Sequence, residues 1–207
     1  MAEITFNDME ISAIGEVSNI SMGNAATAMS VIVNREIDIS VPRVAIKNKD
    51  EFVRSHTEDS VVVRVDYVKG LQGYSIFFLK ENDVKMIADL MMGSDGHGMM
   101  TQMDFSEMHL SAISEAMNQM MGASATAMST MLAHLVDIST PSATTMSAGE
   151  YIAFEIPGDE KFIQIDFQMK VGDLMVADMV QAYPLKLAKA IADLFIIKKQ
   201  QGENPAL

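Results

Sequence analysis

The stretch MEISAIGEVSNISMGNAATAMSVIVNREIDISVP, from Met9 to Pro42, returns as MHLSAISEAMNQMMGASATAMSTMLAHLVDISTP, from Met108 to Pro141. The two copies align without a gap, ninety-nine positions apart, and half of the aligned positions are identical. Ser12, Glu16, Asn19 and Pro42 of the first copy therefore stand in register with Ser111, Glu115, Asn118 and Pro141 of the second. The chain is an internal duplication that has kept one polar signature twice.

Apolar residues at Met9, Ile11, Ile14, Val17, Ile20 and Met22, and again at Leu110, Ile113, Met117 and Met120, recur at three- and four-residue spacing. That is the period of an amphipathic helix with one buried stripe. Residues three and four apart are neighbours on a helix surface, so Ser12, Glu16 and Asn19 form one row and Ser111, Glu115 and Asn118 another, mostly off the stripe. Asn7 or Asp8 is expected to cap the first helix, and Asp104 followed by Glu107 reads as a capping box for the second. The segments GNAATAMS (from Gly23) and GASATAMS (from Gly122) have little bulk and suit close approach to the twin helix or to a sheet. Gly23 and Gly122 are also candidate points of helix breakage.

Beyond these helices the duplication continues more faintly. Val61–Val65, the turn Gly70–Gly73 and Tyr74–Leu79 read as strand, hairpin and strand, and Phe162–Val171, Gly172 and Leu174–Val180 repeat the pattern. A short helix follows each hairpin, the first capped by Asn82 and closed by Gly93, the second opened by Pro184 and ending near Lys198 and Lys199. Both carry the word IADL, at Ile87–Leu90 and Ile191–Leu194. The expected architecture is α+β: two α-β-β-α units with pseudo-twofold symmetry, a mixed or antiparallel sheet and two long motif-bearing helices around a shared core. One domain is expected over residues 1–198, built from repeats at about 8–99 and 105–198, with 199–207 a disordered tail or linker.

With 207 residues, 49% of them apolar, the chain has material for a sizeable core. No apolar run reaches the roughly 18 residues of a membrane span, and MAEITFNDME lacks the basic-then-apolar pattern of a secretory signal. The absence of cysteine excludes disulfides and thiolate chemistry and is compatible with a cytoplasmic protein. A formal net charge of −13 disfavours nucleic acid and favours encounter with a basic patch on a protein. The twenty methionines are read as adaptable core filling in preference to a binding surface.

Ordinary catalytic apparatus is missing. His56, His97, His109 and His134 are scattered without metal-ligand spacing, so no metal is expected. GSDGHG at Gly93–Gly98 follows a helix rather than a strand and is assigned to a connecting loop, not a phosphate cradle. No serine lies in a GxSxG setting. A carboxamide does not titrate usefully, but it offers one acceptor and two donors in fixed geometry and can orient a water. Phosphoryl hydrolysis asks for little more from a protein than an in-line water and neutralised oxygens, and an ionised Glu can pair with a lysine of a partner and so steady the Asn. A single Glu-x-x-Asn on a helix is most often a solvated surface pair. Its recurrence with the proline at the same offset weighs against that, though only in part, because duplication copies structural residues too. Pro42 and Pro141 themselves read as structural, each setting the start of a following segment.

The pattern Ser-x-x-x-Glu-x-x-Asn with Pro twenty-three positions on, present twice, resembles the signature of the CheC/CheX/FliY family of phosphatases that act on the phosphorylated chemotaxis response regulator CheY. SNISMGNAATAMS (from Ser18), SEMHLSAISEAMNQMMGASATAMST (from Ser106), QMKVGDL (from Gln168) and QAYPL (from Gln181) make it most similar to the CheC-like domain of FliY proteins of the flagellar motor switch. The resemblance covers about Asp8 to Ile197 and implies a CheC-like fold. It implies two active sites, Glu16 with Asn19 and Glu115 with Asn118, in which Asn places the attacking water and Glu contacts the regulator. No cofactor of its own is implied, the Mg²⁺ being carried by CheY. Implied partners are phosphorylated CheY and, besides it, flagellar switch proteins or CheD, at the cytoplasmic face of the basal body. The alternative is a non-catalytic module that binds CheY or CheD. FliY proteins join this unit to an N-terminal CheY-binding peptide and a C-terminal FliN-like domain, neither of which is present in these residues. Either an excised domain or a free-standing CheC-like protein fits. GEVSNIS stands where the family more often has GEIGNIS, placing Ser18 at a glycine position.

Overall fold

The computed structural model describes residues 4–156 and 161–201. The first repeat runs α1 (Asp8–Val33), β1 (Ile37–Ile39), β2 (Arg43–Asn48), α2 (Lys49–Ser55), β3 (Asp59–Lys69), β4 (Gly73–Leu79) and α3 (Glu81–Met91). A single turn, α4 (Met99–Gln102), leads to the second: α5 (Glu107–Leu132), β5 (Asp137–Ile138), β6 (Ser142–Ser147), α6 (Ala148–Glu155), β7 (Lys161–Val171), β8 (Met175–Pro184) and α7 (Leu185–Gln200). The α+β class and both hairpins agree with the sequence reading. Each unit carries more than α-β-β-α, however: two short strands and a short helix precede every hairpin. They escaped the pattern because β1 and β5 have three and two residues, too few to show a period of two.

The strands form one antiparallel sheet in the order β1-β7-β8-β4-β3-β5, with β2 also on β7 and β6 on β3. The pseudo-twofold passes between β4 and β8, where Ile76 faces Ala182 and Phe78 faces Val180. Each repeat lends its short strands to the other repeat's hairpin: Arg43 to Asn48 pair with Asp166 to Lys161, and Asp59 to Arg64 pair with Ser147 to Ser142. The helices exchange likewise, α7 packing on α1 and α3 on α5.

Both faces of the sheet are covered, which explains the unbroken run Val61-Val62-Val63, all fully buried. Val61, Val63, Val65 and Phe77 point into a large core with Ile14, Met22, Met29, Met117 and Met128. Val62, Ile76 and Phe78 point the other way, into a smaller core with Phe52, Ile152 and Phe162 beneath α2 and α6. Methionine accordingly fills much of α5, where Met117, Met120, Met121, Met128 and Met131 are buried. Among the described residues no helix is long and apolar enough to cross a membrane.

Local signals account for most boundaries. Asn7 caps α1 in a reciprocal box with Glu10, each backbone N–H reaching the other side chain at 3.0 Å. The second helix is capped not by Asp104 and Glu107 but by Ser106, with His109 taking the role of Glu10 through a 3.0 Å bond from the Ser106 N–H to Nδ1. Asn82 lies inside α3, whose N-cap is Lys80 without a side-chain bond. Gly23 and Gly122 do not interrupt their helices, each of which runs 26 residues. Helix α7 continues through Gln200, so Lys199 and Gln200, assigned above to the tail, are helical; residues 202–207 lie outside the described residues. Gly70 at φ +78° is obligatory in the first hairpin, because a Cβ there would sit 1.8 Å from the Leu135 carbonyl oxygen.

Candidate active site

The duplicated serine of the ATAMS words fixes how each long helix delivers its polar row. Ser30 Oγ donates to the Ala26 carbonyl at 2.9 Å and accepts the Ile37 N–H at 3.0 Å. Ser129 Oγ does the same with Ala125 at 2.8 Å and Val136 at 2.9 Å. Each helix then ends in a left-handed residue, Asn34 (φ 50°) or Ala133 (φ 46°), that turns the chain back into the first short strand. Pro42 and Pro141 follow those strands and stand just ahead of β2 and β6.

At the first site Ser12 and Asn19 are exposed and Glu16 is half-buried. Together with Ile11, Gly15, Val41, Pro42 and Val44 they line a shallow depression of about 340 Å³. All four residues of the first signature are thus brought together. On its other flank Glu16 borders a second hollow of about 280 Å³ between α1 and α7, formed with Met9, Ser12, Ala13, Phe195, Ile196, Lys199 and Gln200. There Lys199 Nζ donates to Glu16 Oε2 at 3.0 Å while lying 5.7 Å from the centre of the Phe195 ring. Neither hollow is lined by the polar row of the second copy, so the signatures make separate sites rather than one cluster of carboxylates.

At the second site Ser111 and Glu115 are exposed, Asn118 is half-buried and Pro141 is buried. Glu115 is held from its own helix, Oε1 accepting from Gln119 Nε2 at 2.9 Å. From the sequence Lys199 reads only as marking a helix end, and Gln119 is not singled out. Neither is duplicated, the positions matching them carrying other side chains, and only the i, i+4 spacing of Gln119 signalled its contact.

No described side chain or backbone group is hydrogen-bonded to the carboxamide of Asn19 or Asn118. Asn19 is exposed and Asn118 half-buried, each one turn from a carboxylate bonded to a neighbouring donor, and a carboxamide so placed is able to bind and aim a water. The glycine loop offers no comparable site. Its amides are occupied by Asp89, which is 1% exposed and accepts from the N–H groups of Gly96 (3.1 Å), Gly98 (2.9 Å) and Met100 (3.2 Å). Burial alone would raise the Asp89 carboxyl, yet those bonds, with one from Ser94, hold it below its ordinary value. Among the described residues no group of three or more His, Asp or Glu is placed to hold a metal ion.

Residues 9–46 and 108–144 match the CheC-like family, one match per copy of the signature. The flagellar motor switch phosphatase FliY of Bacillus subtilis (strain 168) is 40% identical over 184 residues, covering 88% of this chain and 48% of its own length. The chain thus spans about half the length of that curated relative. The crystal structure of Thermotoga maritima FliY superposes with a TM-score of 0.84 at 32% identity, covering 94% of this chain and 99% of that one. CheX of Borrelia burgdorferi, solved in complex with CheY, BeF3 and Mg²⁺, shares the fold at a TM-score of 0.50 and 18% identity over 79% of this chain and 95% of its own. By sequence, by fold and by the doubled signature, the chain belongs to the CheC-like family, with FliY among its relatives.

Proposed function

We propose that this chain hydrolyses the aspartyl phosphate of CheY at the cytoplasmic face of the flagellar motor switch, with Asn19 and Asn118 each placing the attacking water. The observation that carries the reading is the pair of carboxamides, one exposed and one half-buried, unpartnered within the described residues, each a turn from a carboxylate. The water oxygen attacks phosphorus in line, the bond from phosphorus to the aspartyl oxygen breaks, and inorganic phosphate and a free carboxylate result. Glu16 and Glu115 pair with a cation beside the phosphoryl group and hold Asn in register with it. The Mg²⁺ that neutralises the phosphoryl oxygens comes with the partner. The description of the B. subtilis relative as a motor switch phosphatase and the CheX–CheY complex both support this reading.

The test is the lifetime of phosphorylated CheY. The wild-type chain shortens it, Asn19→Ala and Asn118→Ala each reduce the rate, and the double variant removes the effect. A double variant as active as wild type would overturn the role of the carboxamides. Binding to CheY with no change in phosphoryl lifetime, or binding to CheD alone, would replace catalysis by a docking role.

A further inference from the structure

The row that holds each Glu and Asn ends on a glycine. At 100° per residue, positions 12, 16, 19 and 23 of α1, and 111, 115, 118 and 122 of α5, fall within an arc of about 60°. Gly23 and Gly122 are therefore the next residues on the catalytic face, one turn beyond Asn19 and Asn118.

Nothing inside the chain requires glycine at either place. Both lie in helix interiors with no positive φ, both are exposed, and a Cβ built on either meets no atom within 4 Å. Glycine in a helix interior is worse than alanine on intrinsic grounds. The buried small residues of the two helices lie at other positions, among them Ala25, Ala26, Ser124 and Ala125. In both copies the bare turn is finished the same way: Thr27 Oγ1 donates to the Gly23 carbonyl at 3.2 Å and Thr126 Oγ1 to the Gly122 carbonyl at 3.0 Å. The duplicated result is a strip of naked helix backbone with its carbonyl already bonded, beside a carboxamide that is not.

We infer that Gly23 and Gly122 are clearance positions for the docked regulator. The backbone segment that carries the aspartyl phosphate rests directly on the glycine turn, and only an absent side chain lets the phosphorus come within reach of the water on Asn19 or Asn118. The inference rests on the phosphatase reading and adds the contact surface to it: a receiver-type protein whose phosphorylated loop lies against α1 or α5 over the glycine, with its cation on Glu16 or Glu115.

A size series at each glycine tests this, with Gly23→Ala and Gly23→Gln made in the Asn118→Ala background and Gly122→Ala and Gly122→Gln in the Asn19→Ala background, so that hydrolysis is read at one site at a time and the CheY titration reads the number of sites still bound. Thermal midpoint, dephosphorylation of CheY and titration with CheY carrying BeF3 and Mg²⁺ are measured on each. The alanine variants are expected to unfold about 2–4 °C higher and yet to lose about tenfold in kcat/KM, the cost of one methyl forced into a close contact. The glutamine variants retain the stability of the fold and lose both binding and turnover further. A gain in stability with hydrolysis unchanged would overturn the inference, and so would a fall in thermal midpoint, which would make the glycines structural. The single-Asn parents separate this from the reading beneath it: if they bind CheY without hydrolysing it, catalysis fails and the size series in binding still decides the clearance role. If they neither bind nor hydrolyse, both fail.

Discussion

Identical residues in the two copies meet different fates, and the difference is physical. Asp89 and Asp193 occupy the same place in the two IADL words, but Asp89 is buried under the glycine loop and Asp193 is exposed. The carboxylate of Asp89 anchors Gly96, Gly98 and Met100, and a Cβ on Gly98 would stand 2.6 Å from its Oδ1. Because the folded protein holds this carboxyl below its ordinary value of 3.8, its contribution to stability is present in full above about pH 5 and is lost as acid protonates it below that ordinary value. Asp89→Asn replaces a two-oxygen acceptor by one oxygen and a competing donor. It is expected to cost about 1–3 kcal/mol at neutral pH and to flatten the acid limb of the stability curve, as urea titrations between neutral and acidic pH would show. Equal acid sensitivity in variant and wild type would remove Asp89 from that role. The motif residues themselves were legible in the sequence, since Glu16, Asn19, Glu115 and Asn118 are copied in register. Lys199 and Gln119 were not, for each exists once.

The two hairpin-following helices differ in length with a consequence for the sites. Helix α3 stops at Met91, with Gly93 beyond it at φ +80°, whereas α7 runs on to Gln200. In the register of the IADL words Lys199 corresponds to Asp95, which lies past that stop. Helix α7 lies along α1, tied by Lys189 to Glu10 in the part it shares with α3 and by Lys199 to Glu16 in its extra turn. The second ion pair is largely exposed, with side chains 59% and 37% accessible, so it is worth at most about 1 kcal/mol and weakens with salt. On the proposed mechanism Lys199 competes with a partner's cation for Glu16, while Glu115 is bonded only to the neutral amide of Gln119. Lys199→Ala in the Asn118→Ala background is therefore expected to raise hydrolysis by the first site about two- to fivefold at low ionic strength, with the gain shrinking as salt is added. In the Asn19→Ala background the same change should do nothing; a fall at the first site would assign Lys199 to productive binding instead.

At the scale of the whole molecule, the exchange of strands and helices makes the repeats interdependent. Strand β7 receives β1 and β2 from the first repeat, and β3 receives β5 and β6 from the second. An isolated repeat would leave one edge of its hairpin unpaired and lose the helix that covers its long one. A fragment of residues 8–99 alone is expected to show no cooperative thermal transition by circular dichroism, and mixing it with 105–198 to restore one. Cooperative unfolding of either fragment by itself would contradict the exchange. What the sequence by itself determined was the duplication, the two amphipathic helices, the hairpins and the Ser, Glu, Asn and Pro of each signature, because these depend on period and copying within one segment. Which repeat each short strand joins, and that Lys199 is the donor on Glu16, were decided by the tertiary structure alone. Pairing across about 70 to 130 residues leaves no local pattern, and a lysine at the end of one helix becomes a neighbour of Glu16 only once the sheet has brought α7 across α1.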